Sequence, residues 1–145
     1  MTPIKRRRQR AVPGSPVILD SGALTELVDR RSAINAILEE LRRENYRVVI
    51  PAVVLVEALS GKRGDEPINQ IIKRAAEVPA SDEQRCRLAA GLRARTPDAS
   101  PVDALVVAEA VVAPAQLVPV ILTFDPHVRA VAAAADRLIV VPELQ

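Results

Sequence analysis

Four carboxylates, Asp20, Glu57, Asp103 and Asp125, are scattered along the 145 residues, and each opens or interrupts an apolar segment. Asp20 follows Val17-Ile18-Leu19, and Glu57 lies inside a run from Pro51 to Leu59 that is otherwise apolar. Asp103 comes three residues after Ser100, and Asp125 ends Leu122-Thr123-Phe124. Gathered in one place, four such acids repel one another unless a counter-ion joins them. Oxygen-only ligands select a hard cation, Mg²⁺ or Mn²⁺. Two ions about 4 Å apart would clamp the attacking and leaving oxygens of a phosphodiester, whereas one would activate water and neutralise developing charge.

Each aspartate also has an ordinary explanation. Asp20 precedes Ser21-Gly22 and suits a helix N-cap, because Asp accepts hydrogen bonds from orphan amides. Asp125-Pro126 is a good pairing of N-cap and first helical residue. Asp103 fits the third position of a capping box begun by Ser100. Glu57 lacks such a role. Its helical neighbours three and four residues back are Val54 and Val53, and no Lys or Arg lies within four residues of it. A carboxylate buried among such residues is costly unless paired or bound to a cation. The expectation is a buried Glu57 that meets a cation; the alternative is an exposed residue on a short solvent-facing strip.

The elements that must position these acids follow from hydrophobic patterning. Val17-Ile18-Leu19, Val48-Val49-Ile50, the stretch 118–124 and the stretch 138–141 read as strands, with a possible edge strand around Val78. Helices are expected at 22–30, at 32–44 with Ile34, Ile37, Leu38 and Leu41 at helical spacing, and from Pro51 to a stop at Gly61. Further helices are expected near 66–76, from a Ser81–Gln84 capping box to about Arg95, from Ser100-Pro101 to Pro114, and at 126–135. The strands are apolar throughout rather than alternating. Flanked by helices, they predict an α/β fold with a central parallel sheet of about four to five short strands covered on both faces, a three-layer αβα sandwich. Ligands of such sheets bind beyond the carboxyl ends of the strands, where Asp20 and Asp125 stand.

Composition narrows the function classes. The chain is long enough for one domain and about two thirds of its surface can be buried. No apolar run reaches the roughly 18 residues of a membrane span, and no apolar segment follows the basic start, so neither a membrane protein nor a secreted one is expected. Cys86 is alone, which excludes an internal disulfide and suits the cytoplasm. One His and one Cys are too few for a structural zinc site. Lys5, Arg6, Arg7, Arg8 and Arg10 make residues 1–15 a basic, flexible leader, and residues 16–145 the domain. Removing those five of the 20 basic residues leaves 15 against 18 acidic, so the domain itself is mildly acidic. The leader reads either as solvated chain or as a phosphate-attracting arm. Only Tyr46 and Phe124 are aromatic, which argues against a base-stacking reader built on an aromatic sheet face.

Leu19-Asp20-Ser21, the Pro51–Glu57 segment, Val102-Asp103-Ala104-Leu105 and Leu122-Thr123-Phe124-Asp125 together resemble the PIN-domain nucleases in order and spacing. Over residues 16–142 the chain is similar to the VapC toxins of bacterial type II toxin–antitoxin pairs. The resemblance implies a PIN-like fold and a Mg²⁺-dependent endoribonuclease, with Mn²⁺ able to substitute. Its substrate would be structured cellular RNA such as tRNA or rRNA, and growth arrest the consequence. It implies a VapB-like antitoxin that blocks the site, and a homodimer. Asp20, Glu57, Asp103 and Asp125 would hold the metal, with Thr123 and Ser21 as the accompanying hydroxyls. A water activated by the metal would attack the phosphate in line, leaving a 5′-phosphate and a 3′-hydroxyl. Where relatives carry a further acid or an aromatic after the last aspartate, this chain has Pro126-His127-Val128.

His127 is read as a polar residue of a first helical turn, Cys86 as a small residue packing a helix, and Arg93 and Arg95 as either RNA contacts or helix-end charges. Two other functions compete. A phosphoacceptor or phosphohydrolase would use Asp20 as nucleophile. Against it, the haloacid-dehalogenase pattern needs a second Asp where Gly22 stands, and a receiver domain needs a Lys that residues 118–141 lack. In a non-catalytic partner-binding module, the acids would be caps and surface charge alone.

Overall fold

The computed structural model describes residues 12–144. The expected basic leader therefore lies outside the described residues up to residue 11. Its last residue, Ser15, is buried, and its hydroxyl accepts the Val118 N–H at 2.9 Å.

Three parallel strands form the sheet: β1 (Pro16–Leu19), β2 (Arg47–Val49) and β3 (Val120–Leu122), in the order β2-β1-β3. The register sets Val17 beside both Val48 and Val120, and Leu19 beside Leu122. β1 and β3 are buried along their whole length, so helices cover both faces and the fold is an αβα sandwich. The two outer strands expected near Val78 and at 138–141 are single parallel bridges, Val49 to Glu77 and Val120 to Val140. Both are cut short for local reasons. Pro79 has no N–H to continue the first. Beyond the second, the Arg129 guanidinium takes the carbonyls of Val141 and Pro142 at 2.9 and 3.0 Å.

Seven helices are present among the described residues: α1 (Ser21–Glu26), α2 (Ala33–Arg43), α3 (Val54–Ala58), α4 (Glu66–Lys73), α5 (Glu83–Arg95), α6 (Pro101–Val111) and α7 (Pro126–Ala134). Boundaries shift where capping chemistry decides them. Asp82, not Ser81, caps α5: its carboxylate accepts the Arg85 N–H at 3.0 Å and pairs with the Arg85 guanidinium at 2.8 Å. The helix expected from Pro51 starts only at Val54 and is five residues long. Cys86, expected to pack a helix, is exposed on α5.

Two arginines hold α6 in place. Arg85 on α5 makes a bidentate pair with the buried Glu109 of α6, at 2.7 and 3.0 Å. Such fork-to-carboxylate pairs fix orientation as well as distance. Arg137 donates to the carbonyls of Ala110, Val111, Ala113, Pro114 and Leu117, satisfying the acceptors that the end of α6 leaves orphaned.

The end of α3 is fixed by Asp65. Its carboxylate accepts from the Ser60 N–H, the Ser60 hydroxyl at 2.8 Å and the Gly61 N–H at 2.7 Å, while Gly61 turns the chain at a φ of +78°. The Ser60 backbone and hydroxyl bonds, with that of Gly61, hold the Asp65 carboxyl below its ordinary value of 3.8. A lowered carboxyl contributes stability that is present above 3.8 and is lost as pH falls through the lowered value. We therefore expect Asp65→Asn to be less stable than wild type in urea at neutral pH. The gap should close as the pH is taken below 3.8; a gap independent of pH would refute the role of the charge.

Candidate active site

From β1 the chain runs to β2 on one side, and later crosses back to place β3 on the other side. Such a reversal opens a crevice at the carboxyl ends of the adjoining strands. Asp20 stands at the end of β1, and Thr123 and Asp125 follow β3. The cleft there has a volume of about 470 Å³ and is lined by Asp20, Ser21, Glu57, Asp103 and Asp125, with Ser100, Val102, Val106 and Phe124 completing the walls. The fold thus brings all four carboxylates to one cavity, from four different segments of the chain.

Each aspartate does cap a helix. Asp20 Oδ1 accepts the Ala23 N–H at 2.8 Å at the start of α1. Asp125 Oδ1 accepts the His127 N–H at 2.8 Å at the start of α7. Ser100 and Asp103 form a reciprocal capping box on α6, both bonds at 3.1 Å. Capping occupies one oxygen of each. Asp103 Oδ1 and Asp125 Oδ2 make no hydrogen bond among the described residues, and both residues are half-buried at the cleft.

Glu57 departs from expectation: it is exposed, not buried. α3 has fewer than two turns, and Val54 alone is fully buried on it, so the next residues in sequence swing out to solvent. Val56, its apolar neighbour, is 80% exposed. An apolar run is no guide to burial on so short a helix. Glu57 nevertheless reaches the cleft, where its Oε1 accepts the Ser21 hydroxyl at 2.9 Å.

Asp20 is the buried acid of the group, with 6% of its surface exposed. Its second oxygen, Oδ2, accepts a hydrogen bond from the Thr123 hydroxyl, and that hydroxyl in turn accepts the Asp125 N–H at 2.9 Å. Burial pushes the Asp20 carboxyl above its ordinary value. The Thr123 and Ala23 bonds oppose that rise, and the charges of Asp125 and Asp103 add to it. The set fits a hard divalent cation chemically, since every donor is oxygen and the repulsion felt at Asp20 is what a cation would relieve. As they stand, no three acidic, His or Cys side chains among the described residues are arranged to hold one ion. Mg²⁺ is usually held by only one or two carboxylates, with water and phosphate completing its shell.

The other residues singled out lie outside this cleft. His127 is exposed in the first turn of α7, Arg93 donates to the Ala99 carbonyl, and Arg95 bonds the Ala134 carbonyl and Asp136. Phe124 is a cleft residue that was not marked out in the sequence, although its place between Thr123 and Asp125 was the available signal. Removing the Thr123 hydroxyl orphans both Asp20 Oδ2 and the Asp125 N–H. Leaving a buried polar group unpaired costs about 1–3 kcal/mol. Thr123→Val should therefore lower stability by an amount in that range in chemical denaturation, with Thr123→Ser close to wild type. Equal stability of all three proteins would contradict this account.

The comparisons agree with this architecture. No curated protein matches the chain in sequence. Among solved structures, FitAcB from Neisseria gonorrhoeae is similar at 19% identity and a TM-score of 0.57, covering 86% of this chain and 95% of that one. VapBC2 from Rickettsia felis, bound to a DNA fragment from its promoter, is similar at 12% identity and a TM-score of 0.61, covering 88% and 99%. FitAB bound to a DNA fragment matches at 21% identity and a TM-score of 0.61, covering 89% and 97%. These likenesses concern the fold. A family model described as PIN domain matches residues 17–134, from the first strand through the last helix, and the chain belongs to the PIN domain family.

Proposed function

We propose that the chain is a divalent-metal-dependent endoribonuclease of the VapC toxin type. The observation that carries this reading is geometric: Asp20, Glu57, Asp103 and Asp125, from four segments of the chain, line one cleft at the carboxyl ends of the strands. Acids drawn from four segments into mutual repulsion make physical sense around a cation. Membership of the PIN domain family supports nuclease chemistry.

In this reading Asp20, Asp103, Asp125 and Glu57 hold Mg²⁺, or Mn²⁺ in its place. The ion supplies neutralisation of phosphate charge and activation of the attacking water. Thr123 orients Asp20 and Asp125, and Ser21 orients Glu57. Asp103, Asp125 and Glu57 each keep one oxygen without a hydrogen bond among the described residues, and those are the oxygens available to an ion. The substrate is cellular RNA, tRNA or rRNA. The likeness to VapBC2 and FitAB supports a VapB-like antitoxin as the neutralising partner, and a homodimer is what the resemblance to the VapC toxins implies for the toxin's own assembly.

An Asp20 phosphoacceptor fits less well. Gly22 stands where the haloacid-dehalogenase pattern needs a second Asp, and residues 118–141 contain no Lys for a receiver domain. The non-catalytic reading gains from the three observed caps, and metal binding separates it from the nuclease. Glu57→Gln is the cleanest probe because Glu57 is exposed and its one hydrogen bond is to Ser21. We expect calorimetry to show Mn²⁺ binding to wild type and weakened binding to Glu57→Gln. Asp20→Asn and Asp103→Asn should lose Mg²⁺-dependent RNA cleavage roughly a hundred-fold or more, while circular dichroism stays that of a folded protein. Mapping RNA 5′-ends after expression of wild type and of each variant would decide it. Undiminished cleavage in both aspartate variants overturns the assignment.

A further inference from the structure

The chain has two aromatic residues, and they are used oppositely. Tyr46 is in the core, 5% exposed, whereas Phe124 is 45% exposed and lines the acid cleft. Its direction is dictated by its neighbours. Thr123 turns inward to Asp20, the Asp125 N–H is tied to the Thr123 hydroxyl, and the Asp125 side chain caps α7. With both flanks held by hydrogen bonds, the ring between them is presented to the cleft on a fixed backbone. Core packing does not account for a large apolar ring left in solvent in a cleft lined by four carboxylates.

We propose that Phe124 is a stacking platform for an unpaired nucleobase next to the phosphate engaged by the acids. This rests on the nuclease reading of the same cleft. A phenyl ring offers a flat π face with no hydrogen-bonding demand, and every base has a matching face, so the contact tolerates any base but requires it to be unstacked. A base within a duplex has both faces covered by its neighbours and does not qualify. Val102 and Val106 also line the cleft and suit the flat body of a base, while its carboxylates suit a cation-bridged phosphate. Phe124 is thus a positioning and specificity residue: it selects RNA with an extruded base and sets that base's distance from the acids.

The chain contains no Trp, so Phe124→Trp introduces a single Trp at the platform, excitable apart from Tyr46. We would titrate this variant, with Ca²⁺ in place of Mg²⁺, with a short unstructured oligoribonucleotide and with an abasic ribose-phosphate oligomer of equal length. Quenching by the first and not the second is expected. In cleavage assays Phe124→Ala and Phe124→Leu should raise KM about tenfold with a smaller change in kcat, and Phe124→Tyr should restore it. Equal quenching by the abasic oligomer, quenching only by a protein partner, or a wild-type KM in Phe124→Leu each overturns the platform. Failure of the nuclease reading is a separate result: no metal-dependent cleavage by wild type, whatever the fluorescence shows. Cleavage that is lost in Glu57→Gln but untouched in Phe124→Leu sinks the platform alone.

Discussion

One buried hydroxyl holds the site together. Thr123 donates to Asp20 across the β1–β3 junction and accepts the N–H of Asp125. Through those two bonds the ends of two strands and the starts of α1 and α7 share a single geometry. Asp20 and Thr123 are almost without solvent contact, so water cannot substitute for either partner. Asp20 is held there against its own desolvation, and the bonds from Thr123 and Ala23 oppose the rise that burial causes. The positions of Asp125 and Phe124 follow from the same contact.

The three aspartates all cap helices, and the proposed function gives them a second role. Each gives one oxygen to a helix N-terminus, and the cap fixes the side chain's rotamer and direction. Asp103 and Asp125 keep the other oxygen for the cleft. Capping is therefore the means of presentation, and the second oxygen is the one available for chemistry. Glu57 is the exception, held only by the Ser21 hydroxyl and by a helix whose end is tied down by Asp65. It is also the acid with the most freedom to move.

Behind the site, guanidinium groups take over work that side-chain packing alone would do poorly. The helices of this chain are rich in Ala and Val, whose short side chains interlock little. Arg85 with Glu109 locks α5 to α6, and Arg137 closes the carbonyl end of α6 and the loop toward β3. α6 carries Asp103 at its other end, so both contacts bear on where that acid stands.

Much of this was legible in the sequence because local rules sufficed. Apolar runs of three to four residues marked the strands, Asp-Pro and Ser-Pro marked the starts of α7 and α6, and continuous rather than alternating hydrophobicity marked a sheet covered on both faces. The resemblance in the order of four short motifs pointed to the family. Burial was the quantity that sequence misjudged. Glu57 among valines read as the buried acid, whereas Asp20 is the buried one and Glu57 faces solvent. Whether a residue is covered depends on which face of which element meets a neighbour, and over five residues of α3 periodicity cannot express that. The outer strands shrank to bridges for a like reason, since pairing is settled by partners distant in the chain. Residue types and their order determined the chemistry on offer, and the tertiary structure decided which oxygens remain for it and which aromatic ring stands beside them.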